Sequence, residues 1–280
     1  MQEGAFAVID CLGFKGIWQR FKGKENIILD RLCEISETVK NELDSEKYSG
    51  NLFGEYKSFI KQKDVDFQAR FFSDTVFISL VYKNELKEID ENKLAIKKGQ
   101  LINAISNIAV KILELFIKSE PYLTMRGCIS YGEIVYQRDF YAGPAIDIAA
   151  EYMDIADGAF VWLHKSAELY YEAYRAENVR QNGHNIGVFK LDNLSPFLGC
   201  KSVNYSMPIK NRNNLQCYVL NPLANFENEE WRQEIISIYK RSMESNNIDV
   251  SLKQQNTLAF LNKCNEITIN YYINITKMGW

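Results

Sequence analysis

The stretch at 93–118 constrains this chain more than any other. Leu101, Ile105, Ile108, Ile112, Leu115 and Phe116 recur at helical spacing and form one apolar stripe, and Pro121 lies beyond its end. Short apolar runs flank it on both sides. Residues 66–73 and 75–83 read as a hairpin bending at Ser73-Asp74, although no Asn-Gly or Asp-Gly marks the turn. Residues 123–131 read as a strand that Gly132 ends. A long helix set between strands leaves mixed layouts of helix and sheet.

The rest of the chain extends this pattern. Residues 4–10 predict a buried strand, and 15–44 a helix carrying Ile17, Phe21, Ile28, Leu32, Ile35 and Val39. Residues 45–63 are polar and irregular. Gln137-Arg138-Asp139 reads as a loop leading to Gly143-Pro144, and Pro144 suits the first turn of a helix over 144–156 with Gly158 as its cap. A short strand at 159–163, a helix at 164–179 and strands near 186–191 and 215–220 follow. The order β-α-β-β-α-β is that of a ferredoxin-like core with additions, an α+β fold. Beyond Asn221-Pro222 the character changes. Residues 227–244 and 251–276 read as two helices, the first bearing Trp231, Ile235, Ile238 and Tyr239. This divides the chain into a domain at 1–222 and a C-terminal helical extension at 223–280.

Composition narrows the function classes. Of 280 residues, 46% are apolar and 25% charged, an ordinary globular balance. A net charge of -3 gives no overall attraction to nucleic acid or anionic membrane, so any phosphate site has to be local. The six cysteines include no C-x-x-C pair and the histidines are only His164 and His184, which argues against structural zinc. Several cysteines sit in apolar runs, as buried free thiols do in a reducing compartment. No uninterrupted apolar run nears ~18 residues and no leader precedes the first strand, so a cytoplasmic protein without a membrane span is expected.

Two aspartates stand where apolar runs end. Asp10 closes Ala5-Phe6-Ala7-Val8-Ile9-Asp10, and Asp74 lies in Phe71-Phe72-Ser73-Asp74-Thr75-Val76. Taken singly, each also fits a turn or cap, since Asp accepts backbone N–H bonds there. In a β-α-β-β layout, however, the first and third strands are neighbours, so the two carboxylates can face one another. Hard oxygen ligands of this kind suit Mg²⁺ or Mn²⁺ held together with substrate phosphates.

Four segments together resemble the class III nucleotidyl cyclases: Phe6-Ala7-Val8-Ile9-Asp10-Cys11-Leu12-Gly13-Phe14, Phe72-Ser73-Asp74-Thr75, Arg126-Gly127-Cys128-Ile129-Ser130-Tyr131-Gly132-Glu133, and Gly143-Pro144-Ala145-Ile146-Asp147-Ile148-Ala149-Ala150. The resemblance spans about 4–220 and is closest to the pyrimidine cyclases of bacterial Pycsar anti-phage systems. It implies a head-to-tail homodimer with active sites at the interface and two metal ions per site. Asp10 and Asp74 would bind the metals, and Cys11 would present its carbonyl. Main-chain groups of Cys11, Leu12, Gly13 and Phe14 would cradle a triphosphate. The implied reaction makes a 3′,5′-cyclic nucleotide and pyrophosphate, as an alarm signal read by a separate effector.

In that family a residue four before the second metal aspartate reaches the base, and here it is Arg70. Its fork only donates hydrogen bonds, which matches O2 and N3 of cytosine. Guanine offers O6 and N7. Phe140 falls where adenylyl cyclases carry Asp, and it can stack on a base without hydrogen bonding. CTP is therefore the expected substrate, with UTP second; guanylate cyclase activity and a catalytically silent nucleotide- or partner-binding module are the alternatives. The chain departs from the purine cyclases at Asp147, where they have Asn, and at Glu151, where they have a transition-state Arg. A carboxylate cannot neutralise charge developing on phosphate. Lys210, in the strand-like Met207-Pro208-Ile209-Lys210, falls where the family often has a phosphate-binding Lys, and Arg126 and Arg138 are other candidates. Arg70 and Lys210 also fit solvated surface residues. Glu133 and Asp139 read as structural, and neither histidine has a visible catalytic partner.

Overall fold

The structure, a computed structural model, describes residues 2–12, 22–23, 25–44, 65–84, 90–118, 122–137, 140–183, 200–241, 243 and 247–277. Its elements run β1 (Gln2–Cys11), α1 (Glu25–Asp44), β2 (Val65–Phe72), β3 (Thr75–Tyr82), α2 (Glu91–Lys118), β4 (Met125–Gln137), β5 (Phe140–Ala142), α3 (Pro144–Tyr152), β6 (Val161–Leu163), α4 (Lys165–Gly183), β7 (Ser202–Pro208), β8 (Asn214–Leu220), α5 (Glu229–Arg241) and α6 (Ile248–Lys277). The fold is mixed α+β, as the sequence predicts. The expected irregular stretch at 45–63 and the strand at 186–191 lie outside the described residues.

One sheet carries the order β2-β3-β1-β4-β6-β8-β7, with β5 paired only to β4. The strand β1 is central, antiparallel to both β3 and β4. Alternation along it divides the molecule. Ala5, Ala7, Ile9 and Cys11 enter the large core with α1 and α2, while Phe6 and Val8 enter a smaller one with Val81, Ile134, Ala145 and Ala149 under α3. Asp10 continues the second alternation and falls on the α3 side of the sheet.

The helix α2 is long and apolar enough to cross a bilayer by length and composition, which counting uninterrupted apolar residues does not reveal. Within the fold 83% of its apolar stretch is buried, so it is a core helix. It approaches α4 so closely at Gly99 that an added Cβ would lie 2.1 Å from the Tyr170 carbonyl oxygen.

Three expectations need correction. Gly132 does not end β4, which continues to Gln137. That glycine lies against the start of α3, where an added Cβ would make ordinary contact with Ala145. The expected loop after Gln137 includes a strand, β5, too short to register as periodic. The helix after Pro144 stops at Tyr152, four residues early, and Gly158 does not cap it. Gly158 makes room for the Phe160 ring. On α5, Trp231 points outward and Arg232 is buried in its place at 2% exposure. The Arg232 fork makes this tolerable: Nε donates to Asn265 Oδ1 at 2.8 Å, and Nη1 donates to the carbonyls of Phe226 and Glu227.

Five of the six cysteines are buried free thiols, as expected, and Cys33 is exposed.

Candidate active site

The register builds the site. Asp10 pairs with Thr75 on β3 and with Arg126 on β4, so the three side chains stand in one row. Thr75 Oγ1 donates to Asp10 Oδ1 at 2.9 Å, and Arg126 Nη2 lies 3.2 Å from Asp10 Oδ2. Asp74 occupies the two-residue turn joining β2 to β3, just before Thr75. Ser73 in that turn has φ 55°, a left-handed conformation costing a non-glycine residue about 1–2 kcal/mol. The Asp74 carbonyl accepts from the Cys11 amide at 3.2 Å, tying the turn to the end of β1.

The two carboxyls meet. Burial pushes the Asp74 carboxyl above its usual range, and the Asp10 charge and a side-chain hydrogen bond with Asp10 add to this, against hydrogen bonds from its own amide and Ser73. Because its folded value is raised, Asp74 contributes stability below the unfolded carboxyl value of ~3.9, and loses it as pH rises through the folded value. At neutral pH the ion-free pair is therefore a cost. Asp74→Asn should raise the melting temperature of the chelator-treated protein at pH 7 by roughly 1–3 °C. The gain should disappear on acidification below about pH 4. Equal melting of the two proteins at pH 7 would refute the carboxyl contact.

A second set of charges adjoins the first. Asp154, two residues beyond α3, pairs with Arg126 Nη1 and with Lys210 Nζ. Burial pushes its carboxyl up, but Lys210, Arg126 and Lys253 outweigh this and hold it below the usual range. Lys210 is not in a strand; it sits in the turn after β7, where its amide donates to the Ile155 carbonyl at 3.0 Å. Lys253 comes from α6. One turn on, Asn256 Nδ2 donates to the Asp157 carbonyl at 2.8 Å and Thr257 Oγ1 accepts from the Ala159 amide at 2.8 Å.

The structure therefore gathers Asp10, Asp74, Cys11, Leu12 and, through Arg126 and Asp154, Lys210. The Cys11 side chain is buried in the large core, which leaves only its main chain for the site. The Leu12 amide donates to the Thr124 carbonyl at 2.8 Å. Gly13, Phe14, Arg138, Asp139 and His184 lie outside the described residues. Arg70 is exposed on β2, whose alternate residues Phe67, Ala69 and Phe71 pack into the large core, so it faces the Asp10 side. Phe140 is not gathered. It pairs with Gln137 at the far end of β4, and the strand from Arg126 to Gln137 is about 36 Å long at ~3.3 Å per residue. Asp147 and Glu151 are exposed on α3. Glu151 lies near enough to His164 to oppose the downward pull of burial on that imidazole. His164 Nδ1 sits 3.1 Å from Ser166 Oγ, a local turn contact.

Asp154, Thr75 and Lys253 were missed by sequence reasoning. Thr75 adjoins Asp74 and could have been found from the hairpin register. Nothing in the sequence around Asp154 or Lys253 distinguishes them from other surface charges.

Two carboxylates and a main-chain carbonyl are hard oxygen donors, few enough to leave room for phosphate oxygens, and they fit Mg²⁺ or Mn²⁺. Among the described residues no group of three or more His, Cys, Asp or Glu is gathered as a metal site, at Asp10 and Asp74 or elsewhere.

No family model matches the chain, and no curated protein matches it. Among solved structures, the chain is similar to the catalytic core of a rhodopsin-guanylyl cyclase with converted specificity in complex with ATPαS. The identity is 11% and the TM-score 0.42, over 78% of this chain and 94% of that one.

Proposed function

We propose that this protein is a metal-dependent pyrimidine nucleotide cyclase that converts CTP to 3′,5′-cyclic CMP and pyrophosphate, as a cytoplasmic anti-phage signal read by a separate effector. The observation that carries the reading is the placing of Asp10 and Asp74 at adjoining strand ends, where Thr75 next to Asp74 holds the Asp10 carboxyl, the Cys11 amide holds the Asp74 carbonyl, and Arg126 stands beside them. The strand order β2-β3-β1-β4, with antiparallel neighbours, supports a ferredoxin-like core at 1–222, extended by the helices at 223–280.

In the proposed reaction the ribose 3′-oxygen attacks the α-phosphorus, its proton passes to water, and the bond to the β-phosphate oxygen breaks. Asp10 and Asp74, with the Cys11 carbonyl, would hold two Mg²⁺ or Mn²⁺ ions, which activate the attacking oxygen and stabilise the leaving pyrophosphate. The Cys11 and Leu12 amides are taken by the Asp74 and Thr124 carbonyls, so the main-chain cradle expected of Cys11, Leu12, Gly13 and Phe14 would rest on the amides of Gly13 and Phe14, and Lys210 would bind the triphosphate from the turn after β7. Arg70 donates to O2 and N3 of cytosine, and Phe140 stacks on the base. Asp147, exposed on α3, would add a contact to the substrate.

The distance along β4 supports a head-to-tail homodimer. Asp10 and Phe140 lie against opposite ends of β4, so they would meet at one nucleotide only if each protomer supplied half of the site. Phe72 and Phe140, 75% and 79% exposed, are apolar groups suited to cover by a partner. Glu151 favours the second reading, a silent module that binds nucleotide without turning it over.

Incubation with Mn²⁺ and each nucleoside triphosphate separates the readings. The expected result is one dominant product, cyclic CMP. Dominant cyclic UMP would move the substrate to UTP, a cyclic purine would overturn the assignment of Arg70, and binding without product would establish the silent module.

A further inference from the structure

The C-terminal helix brings a lysine to the charged row. Lys253 is half-buried on the second turn of α6. Its ordinary partner would be Asp249, four residues earlier on the same helix. The two form no ion pair, whereas Lys263, further along α6, pairs locally with Glu266 at 2.9 Å. Lys253 instead lies close enough to Asp154 to help hold that carboxyl below its usual range.

Main-chain contacts fix this placement. Thr257 Oγ1 accepts from the Ala159 amide at 2.8 Å and donates to the Lys253 carbonyl at 2.8 Å. Asn256 Nδ2 donates to the Asp157 carbonyl at 2.8 Å. From the other neighbour of the same segment, the Pro208 carbonyl accepts from the Asp157 amide at 2.9 Å, and the Lys210 amide donates to the Ile155 carbonyl at 3.0 Å. The segment after Asp154 is thus held by α6 and by the turn after β7, and each of the two elements supplies one lysine to its carboxylate.

We propose that Lys253 is a further substrate-binding residue, its ammonium donating to the terminal phosphates of the nucleoside triphosphate and to the pyrophosphate that leaves. The inference rests on the cyclase reading. It extends the site onto the C-terminal helices, which lie outside the resemblance at 4–220.

The three cations around Asp154 are not equivalent. Arg126 and Lys210 are paired directly with it, and Arg126 also with Asp10. Lys253 has no direct partner among the described residues, so turning to phosphate breaks no existing pair. A compact ammonium with three donors on a flexible stem suits the several oxygens of a diphosphate. Phe260, Leu261, Cys264 and Ile267 anchor α6 in the large core, so the stem starts from a fixed backbone and binding has less to order.

The test needs no turnover. With Mn²⁺ saturating, Lys253→Gln should bind inorganic pyrophosphate and a non-hydrolysable CTP analogue about 10-fold more weakly. Its affinity for Mn²⁺ alone, followed by electron paramagnetic resonance, should not change. Lys253→Arg should bind both phosphates within about 3-fold of native. In the native protein, acetylation of Lys253 read by mass spectrometry should slow about 5-fold or more with Mn²⁺ and pyrophosphate, and not with Mn²⁺ alone. That measurement decides the matter if melting curves show Lys253→Gln unfolded. Unchanged phosphate affinity, an equal loss of Mn²⁺ affinity, or absent protection overturns the proposal. Asp74-dependent binding of Mn²⁺ and the CTP analogue by the native protein leaves the cyclase reading intact in each of those cases, and loss of that binding overturns both.

Discussion

Asp74→Ala should leave the protein folded and lower cyclic nucleotide formation by about 10³-fold or more. Asp74 lies in a two-residue turn, outside the core, and its carboxyl is held at a cost by burial and by Asp10. Removing it relieves repulsion, so the melting temperature of the ion-free protein should not fall. What disappears is one of the two carboxylates proposed to hold metal. Turnover with Mn²⁺ and CTP, measured beside a melting curve, checks both halves. Activity within about 10-fold of native would sink the two-carboxylate site, and a collapsed melting transition would show Asp74 to be structural.

Mixing two inactive proteins should restore activity. Asp74→Ala lacks the metal half of the site and Phe140→Ala the stacking half. Stacking on an aromatic ring is worth about 1–3 kcal/mol per base, so Phe140→Ala alone should lose roughly 10–100-fold. In a head-to-tail dimer the mixed species has one site with both lesions and one with neither. Equal amounts, exchanged to equilibrium, should therefore recover about a quarter of native activity. The separation along β4 makes this result sharp, because a site built from one chain cannot include both Asp10 and Phe140. A mixture no more active than the average of its components would rule out shared sites.

Much of the frame could be read from the sequence because local signals agreed with tertiary ones. The stripe on α2 and the apolar run of β1 are each unambiguous, and the bend at Ser73-Asp74 falls where the hairpin turns despite lacking a favoured turn pair. The errors share a cause. Gly132 and Gly158 read as punctuation, yet β4 runs on through Gly132, and Gly158 is a glycine for close packing against Phe160, which only the folded neighbours reveal. Trp231 outranks Arg232 on any hydropathy scale, but the buried arginine finds carbonyls and Asn265 that no local window contains. The site divided in the same way. Asp10 and Asp74 announce themselves at strand ends, whereas Asp154 matters only through partners 28 and 56 positions away.

The final helix is also a buttress. Phe260, Leu261, Cys264 and Ile267 of α6 belong to the same core as Ala7 and Ile129 of the sheet, and Thr268 accepts a hydrogen bond from Asn221. Its first turns clasp the Asp157–Ala159 segment, directly after the carboxylate that steadies Arg126 and Lys210. Severing the chain between β8 and α6 would open an oily flank and unmoor that segment together. A load placed on this helix is accordingly passed to the segment that follows Asp154, at the opposite end of the sequence from β1.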